Sequence, residues 1–364
     1  MLRGIEKIMK IFGKTAKILA VICIICVIIS SFSGCGKKTS TAVGEALGET
    51  VNFTFYTSEP DAVSEHFNDM MDEIKAAEAD FSLGEGSYMS VLNETGTSYV
   101  SATLKKALED SVIVCTSLGD IVDITMGKPL KLWGFYTDSP AVPDPSELKE
   151  AADAHTMDKL VIARDSHKVT ITEDTAIDMA PVSKGIALDR ACEAGKFCKI
   201  PYIATMGDIT LAYGEGPRDG GWEVQLRDPF TENENGFARI TVKGKGVQNN
   251  VFVSSSGVWE NSFSEKDKAY HSYLDPETGY PCDNGLVSVT VVTESGITAD
   301  ALSDAILING FTEKSLEYID AFFAEAVFVF SDKTYYVTEG LKDSFKLLDS
   351  SYTEHTEAPA TELF

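Results

Sequence analysis

The sequence predicts an α+β fold. Segments of helical period are mixed with short alternating strand runs that come in pairs around turns, and no internal repeat orders them. With 364 residues and 44% apolar content, the chain can bury a full core, as one large domain or two ordinary ones.

The N-terminus is a separate segment. Arg3, Lys7, Lys10, Lys14 and Lys17 precede an apolar run of twelve, Ile18 to Ile29. That run is short for a membrane span and fits the apolar region of a secretion signal. "SFSGC" follows, with small residues directly before Cys35, which is the bacterial lipoprotein cleavage pattern. Residues 1–34 are therefore expected to be a signal peptide, and Cys35 to carry lipid, palmitate included, on its sulfur and freed amino group. The alternative is an uncleaved anchor ending near Ser30. Both place the body at the extracytoplasmic face of the bacterial cell membrane, tethered to it.

Residues 35–48, with "KKTSTAVGEALGE", are small and polar and read as a flexible tether. Residues 49–346 read as the folded domain. "TVNFTFYTS" alternates as its opening strand. "DAVSEHFNDMMDEIKAAEADF" and "VSATLKKALEDSVIVCTSLG" read as helices. "TMDKLVIARDSHKVTITED" reads as two strands around a turn at Asp165–His167. "SKGIALDRACEAGKF" is a helix beginning after Pro181. "PYIATMGDITLAYG" and "GWEVQLRDP" are strands, and "ARITVKGKGVQNNVFVSSSG" is a further strand pair. "LVSVTVVTESGITADALSDAILING" is a strand, a turn and a helix, and "AEAVFVFSDKTYYVTEG" two closing strands. Residues 347–364 are polar, without apolar period, and read as a disordered tail.

The net charge of −25 falls to about −29 once residues 1–34, with their five basic residues and Glu6, are removed. Such a chain is not built for nucleic acid or for lying flat on anionic lipid. A phosphate-bearing ligand would need a metal, a helix N-terminus or a local basic residue. The cysteines beyond Cys35, namely Cys115, Cys192, Cys198 and Cys282, match no zinc spacing. A Cys192–Cys198 disulfide and four free thiols both fit an oxidising compartment.

Several segments can carry chemistry. In "TADALSDAI", Thr298 is placed to cap the helix, Asp300 falls in its first turn, and Asp304 lies four residues on, on the same face. Two like charges at that spacing are either solvated or held by a hard divalent cation that prefers oxygen. In "DMAPVSKGIALDRA", Lys184 sits in the first turn of a helix, where it opposes the dipole unless an anion is near; the alternative is an exposed lysine. "TMGDIT" places Asp208 at a strand bend. Trp133 and Phe135 read as core. "HSYLDPETGYP" combines His271 with Pro and Gly turn chemistry, as a rigid double turn that either closes a hairpin or holds a ligand.

In order along the chain, Asp-Ile-Thr-x-Gly with Leu-Trp-Gly-Phe, Asp178 with Lys184-Gly-x-Ala-x-Asp, Gly-Asp-Ile, Val-Ser-x-Ser-Gly, Asp-Pro-x-Thr-Gly-Tyr-Pro and Ala-Asp-Ala-Leu resemble the ApbE family from about Thr50 to Gly340. The resemblance implies a single α+β catalytic domain with mixed and antiparallel sheets and packed helices. It implies an FAD:protein FMN transferase that moves FMN from FAD onto a Thr or Ser hydroxyl, releases AMP and uses Mg2+. The acceptor would be a flavin-carrying subunit of a membrane electron-transfer complex. Carried over by position, the metal set is Asp300, Ser303, Asp304 and the Pro181 carbonyl. The FAD contacts are Ile121, Val122, Asp123, Asp178, Lys184 and Leu274. Asp300 and His271 are the candidate catalytic groups, a carboxylate near the metal being the better base. Asp304 stands where the family has a hydroxyl, and aligned on Asp275 the family's histidine is Ser272, with His271 one place early. FAD hydrolysis and flavin binding without transfer are the alternative functions; a solute-binding lipoprotein fits the signal but not the six motifs.

Overall fold

The computed structural model describes residues 28–29, 37–172, 174–197, 199–231, 236–244, 249–355 and 359. The signal-peptide and Cys35 assignments, and Cys198 of the disulfide alternative, lie outside these residues, apart from Ile28–Ile29. The chain opens with β1 (Ile28–Ile29), β2 (Lys38–Ala46) and β3 (Glu49–Thr57). Then follow α1 (Val63–Phe81), α2 (Tyr88–Thr95), β4 (Thr97–Tyr99), α3 (Ala102–Ser117), α4 (Gly127–Trp133) and α5 (Pro145–Ala154). β5 (Val161–Ile162) and β6 (Lys168–Thr170) lead into α6 (Ala180–Gly195). The strands β7 (Tyr202–Met206), β8 (Ile209–Tyr213), β9 (Trp222–Leu226), β10 (Ala238–Val242) and β11 (Asn250–Gly257) come next. After β12 (Phe263–Glu265), β13 (Lys268–Tyr270) and β14 (Leu286–Thr293) stand α7 (Gly296–Asn309) and α8 (Glu313–Ala321). β15 (Glu325–Phe330), β16 (Thr334–Val337), β17 (Phe345–Leu347) and β18 (Thr353–Glu354) complete the order.

A ten-stranded sheet runs β1-β2-β3-β7-β8-β11-β14-β15-β16-β18, antiparallel except for the β16–β18 pair. The helices cover one face. α1 shows why: Val63, Phe67, Met70, Met71, Ile74, Ala77 and Phe81 are buried at helical spacing, and each of them except Ala77 contributes about 1.5–3 kcal/mol when removed from water. The small sheet β17-β10-β9 covers part of the other face, packing Trp222, Leu226 and Ile240 against Val251, Val253 and Val327. A third cluster holds Trp133 and Phe135, stacked with ring centroids 5.4 Å apart, with Leu130, Leu148 and Leu274.

Three expectations are corrected. The segment read as a flexible tether is strand β2 from Lys38 on, paired with β3 from Lys38↔Thr57 to Ala46↔Glu49. Its small residues serve packing: Ala42 and Ala46 are buried, and a Cβ on Gly44 would lie 2.7 Å from Met71 Cε. The segment read as a disordered tail is folded through residue 355. Tyr352 is buried and its hydroxyl donates to Asp228 Oδ1 at 2.7 Å, and β18 pairs with β16. The strands of 238–257 are not partners of each other; β10 joins the small sheet and β11 lies inside the large one.

Candidate active site

The site forms where α6 crosses α7. A Cβ on Gly185 would lie 2.3 Å from the Gly296 carbonyl oxygen, and one on Gly296 would lie 2.4 Å from that of Gly185. Only glycine at both positions permits this approach. The crossing is fastened by α6 side chains and amides. Asp189 accepts from the free N–H groups of Gly296 and Ile297 at 2.8 Å each, and the Gly185 N–H donates to Asp300 Oδ2 at 2.8 Å. The α7 cap is Ser295, whose side chain accepts from Thr298 N, so Thr298 is not the cap and Asp300 lies past the first turn.

Asp300, Asp304, Lys184 and Pro181 line one cavity of about 250 Å³, with Glu260, Tyr273, Tyr136 and Glu49 on the remaining walls. Ala180, Pro181, Ser183 and Lys184 bring the N-terminal end of α6 onto that wall. Asp178 stands just ahead of the helix, its Oδ1 accepting from Ala180 N at 2.8 Å. Its own N–H donates to Ile124 O at 2.8 Å, which ties the 121–126 segment to the start of α6.

The electrostatics are those of an acidic nest around one ammonium. Burial disfavours the Lys184 charge, but Asp300, Glu260, Asp208 and Asp304 outweigh it and hold the proton firmly. Burial lifts the Asp300 carboxyl to about 6, against the pull of Lys184. Burial, then the Asp300 charge, lifts Asp304 well above the carboxylate range, although Ser256 donates to its Oδ1 at 2.6 Å. Burial and then Asp208 raise Glu260 to about 7. Tyr273, which is hydrogen-bonded to Glu260, is pushed up by burial and stays a donor.

A divalent cation fits this donor set. Two carboxylates one helical turn apart, both made costly by burial and Asp304 further by the Asp300 charge, are hard oxygen donors in want of positive charge. Among the described residues no group of three His, Cys, Asp or Glu side chains forms a complete ligand set. The chain thus offers a partial shell, as suits Mg2+, which keeps water and phosphate ligands.

Other sequence-derived positions fall elsewhere. Ser303 is fully buried against β11, within 3.2 Å of Ser254 Oγ and 2.8 Å of Ser256 Oγ, and donates to the Asp300 carbonyl at 3.0 Å; it is off the cavity wall. His271 is also off the wall. Its Nε2 faces the Cys282 carbonyl at 3.1 Å, so Nε2 carries the proton, and burial lowers its proton affinity. Its buried Nδ1 has no hydrogen-bond partner among the described residues, and the ring is not among the groups lining the cavity, so it is not placed as a base there. Leu274 is buried in the aromatic cluster; Ser272 and Tyr273 are the residues of that loop on the wall. Val122 is buried in the main core, with Ile121 packed against it. Asp123 is buried too, its Oδ1 accepting from Thr125 N and Oγ1 at 2.6 Å each, away from the cavity wall.

Sequence reasoning missed several wall residues, Glu49, Tyr136, Tyr273 and Glu260 among them. A Cβ on Gly257 would lie 2.1 Å from the Trp259 ring, so that ring folds back over glycine and the next residue turns inward. Gly257 and Glu260 then bond reciprocally: Glu260 N to Gly257 O at 3.0 Å, and Gly257 N to Glu260 Oε1 at 3.1 Å. The available signal was an acid placed directly after Gly-x-Trp at the end of an alternating strand. Asp208 sits in the β7–β8 turn, its backbone carbonyl accepting from Ser255 N at 3.0 Å.

Residues 47–328 match the model of the ApbE family. The FAD:protein FMN transferase of Haemophilus influenzae is 27% identical over 224 residues, which are 60% of this chain and 63% of that protein. The protein of the same name from Treponema pallidum is 26% identical over 269 residues, 70% of this chain and 72% of its own length. The match thus spans just under two thirds of the Haemophilus relative. Among solved structures, the ApbE protein of Thermotoga maritima superposes with a TM-score of 0.73 at 23% identity, over 83% of this chain and 98% of that one. The apo flavinyl transferase ApbE of Pseudomonas stutzeri gives 0.71 at 20% identity, over 85% and 97%. These likenesses establish the α+β fold.

Proposed function

The chain belongs to the ApbE family, and from that premise we propose that it transfers FMN from FAD to a Thr or Ser hydroxyl of a partner flavoprotein, releasing AMP in a Mg2+-dependent reaction. The observation that carries the reading is the single cavity on which the α6 N-terminus, Lys184, Asp300 and Asp304 converge. A helix N-terminus and an ammonium attract phosphate, and paired carboxylates attract the cation that accompanies a diphosphate. This resolves the problem of a strongly acidic chain binding an anion.

Asp300, Asp304 and the Pro181 carbonyl would hold the ion, which when bound neutralises diphosphate charge and eases departure of AMP. The chain's own residues do the rest. Lys184 stays protonated and presents a fixed positive charge to phosphate oxygens. Asp189 and the Gly185–Gly296 contact hold α6 against α7, so that phosphate-facing and cation-facing groups keep their spacing. Tyr273, Tyr136 and Leu130 give the cavity apolar surface beside its polar groups.

The acceptor is proposed to be a flavin-carrying subunit of a membrane electron-transfer complex, met at the membrane through a lipid on Cys35. Incubation with FAD, Mg2+ and a candidate acceptor tests the reading. The expected result is one FMN added to the acceptor by mass, with a fluorescent covalent band and AMP. Free FMN and AMP without an adduct would mean hydrolysis, and intact FAD would mean binding alone.

A further inference from the structure

Resting on the transfer reaction proposed above, we infer that Glu260 is the general base that takes the proton of the acceptor hydroxyl. In that step the hydroxyl oxygen bonds to the phosphorus on the riboflavin side. The bond from that phosphorus to the bridging oxygen breaks, its electron pair leaves on AMP, and the hydroxyl proton passes to Glu260.

Position carries the assignment. A general base must face the reacting atoms and be held in place. His271 is off the cavity, with its donor nitrogen on the Cys282 carbonyl. Asp300 and Asp304 are on the wall but are the pair suited to the cation, so their free lone pairs face the ion rather than the hydroxyl in this reading. Glu49 reaches the wall from the corner of the β2–β3 turn, next to exposed Gly48 and Thr50. Glu260 lies on the same cavity but on a different element from the cation pair, beyond the end of β11. Its carboxylate is oriented by the Gly257 N–H at 3.1 Å and by the Tyr273 hydroxyl. A carboxylate has about four lone-pair positions, so two donors fix its direction and leave capacity for an incoming O–H.

The test uses Glu260→Gln and Glu260→Asp in the full chain, with a purified acceptor protein that the wild-type chain modifies. FAD affinity is read by quenching of flavin fluorescence, and transfer by single-turnover mass measurement. Glu260→Gln is expected to bind FAD within about 3-fold of wild type while transferring roughly 100-fold or more slowly, the range of general-base loss. Glu260→Asp is expected to recover part of that rate. Transfer by Glu260→Gln within about 3-fold of wild type overturns the assignment, as does parallel loss of FAD affinity and transfer in both variants, which would make Glu260 a binding residue. A wild-type chain that modifies no acceptor defeats the transfer reading itself and is distinct from either outcome.

Discussion

The Gly185 N–H donates to Asp300 Oδ2 at 2.8 Å, so one backbone amide of α6 orients a carboxylate of α7. Amide and acid meet because neither helix carries a side chain at the crossing point, where Gly185 faces Gly296.

Gly185→Ala should force the helices apart. Its new methyl would lie 2.3 Å from the Gly296 carbonyl oxygen, and backbone cannot yield as a flexible side chain can. Overpacking of this kind costs about 1–3 kcal/mol. Denaturant unfolding should show that loss, and titration calorimetry should show weaker Mg2+ binding in the folded variant.

Asp300→Asn should separate stability from function. The amide oxygen can still accept from Gly185 N–H, while the charge beside Asp304 disappears. The melting temperature is expected to hold or rise, because the buried Asp300 carboxyl is already pushed up to about 6. Calorimetric Mg2+ binding and FMN transfer are expected to vanish together. A loss of several kcal/mol of charge stabilisation corresponds to roughly 100-fold or more in rate. Full transfer activity in this variant would remove Asp300 from the cation site.

His271 links stability to pH. Burial lowers its proton affinity below the ordinary 6.5. Between the folded value and 6.5 the unfolded chain binds a proton that the folded chain does not, so stability is present above 6.5 and is lost as pH falls through the folded value. His271→Gln keeps a donor for the Cys282 carbonyl and removes the titration. Unfolding midpoints of wild type and variant measured from pH 7.5 to 5 should diverge only on the acid side, with wild type falling more steeply. Parallel curves would show that His271 does not contribute.

The C-terminal segment should be part of the folding unit. Tyr352→Phe removes the 2.7 Å bond to Asp228 Oδ1 and should cost about 1 kcal/mol in denaturant unfolding. Ending the chain at residue 348 also removes the β16–β18 pairing and the buried Tyr352 ring, and should destabilise by more than the point variant. Equal stability of the truncated and full chains would make 349–355 dispensable.

Sequence by itself determined the α+β class, the core helices and most central strands of the large sheet, because each of those elements repeats its apolar residues at its own period. Spacing alone left Asp300 and Asp304 either solvated or cation-bound and Lys184 either exposed or beside an anion; only the ordered motifs shared with the ApbE family grouped them with Pro181. Tertiary structure alone decided the rest. β2 and the 349–355 segment carry small or polar residues whose order comes from partners far along the chain, so no local period announces them. Ser303 and His271 carry the right chemistry, but their direction depends on which neighbour claims their hydrogen bonds. Glu260 faces the cavity only because the Trp259 ring folds over Gly257. A side chain's type is written in the sequence, whereas the direction it faces is set by the packing of residues distant in the chain.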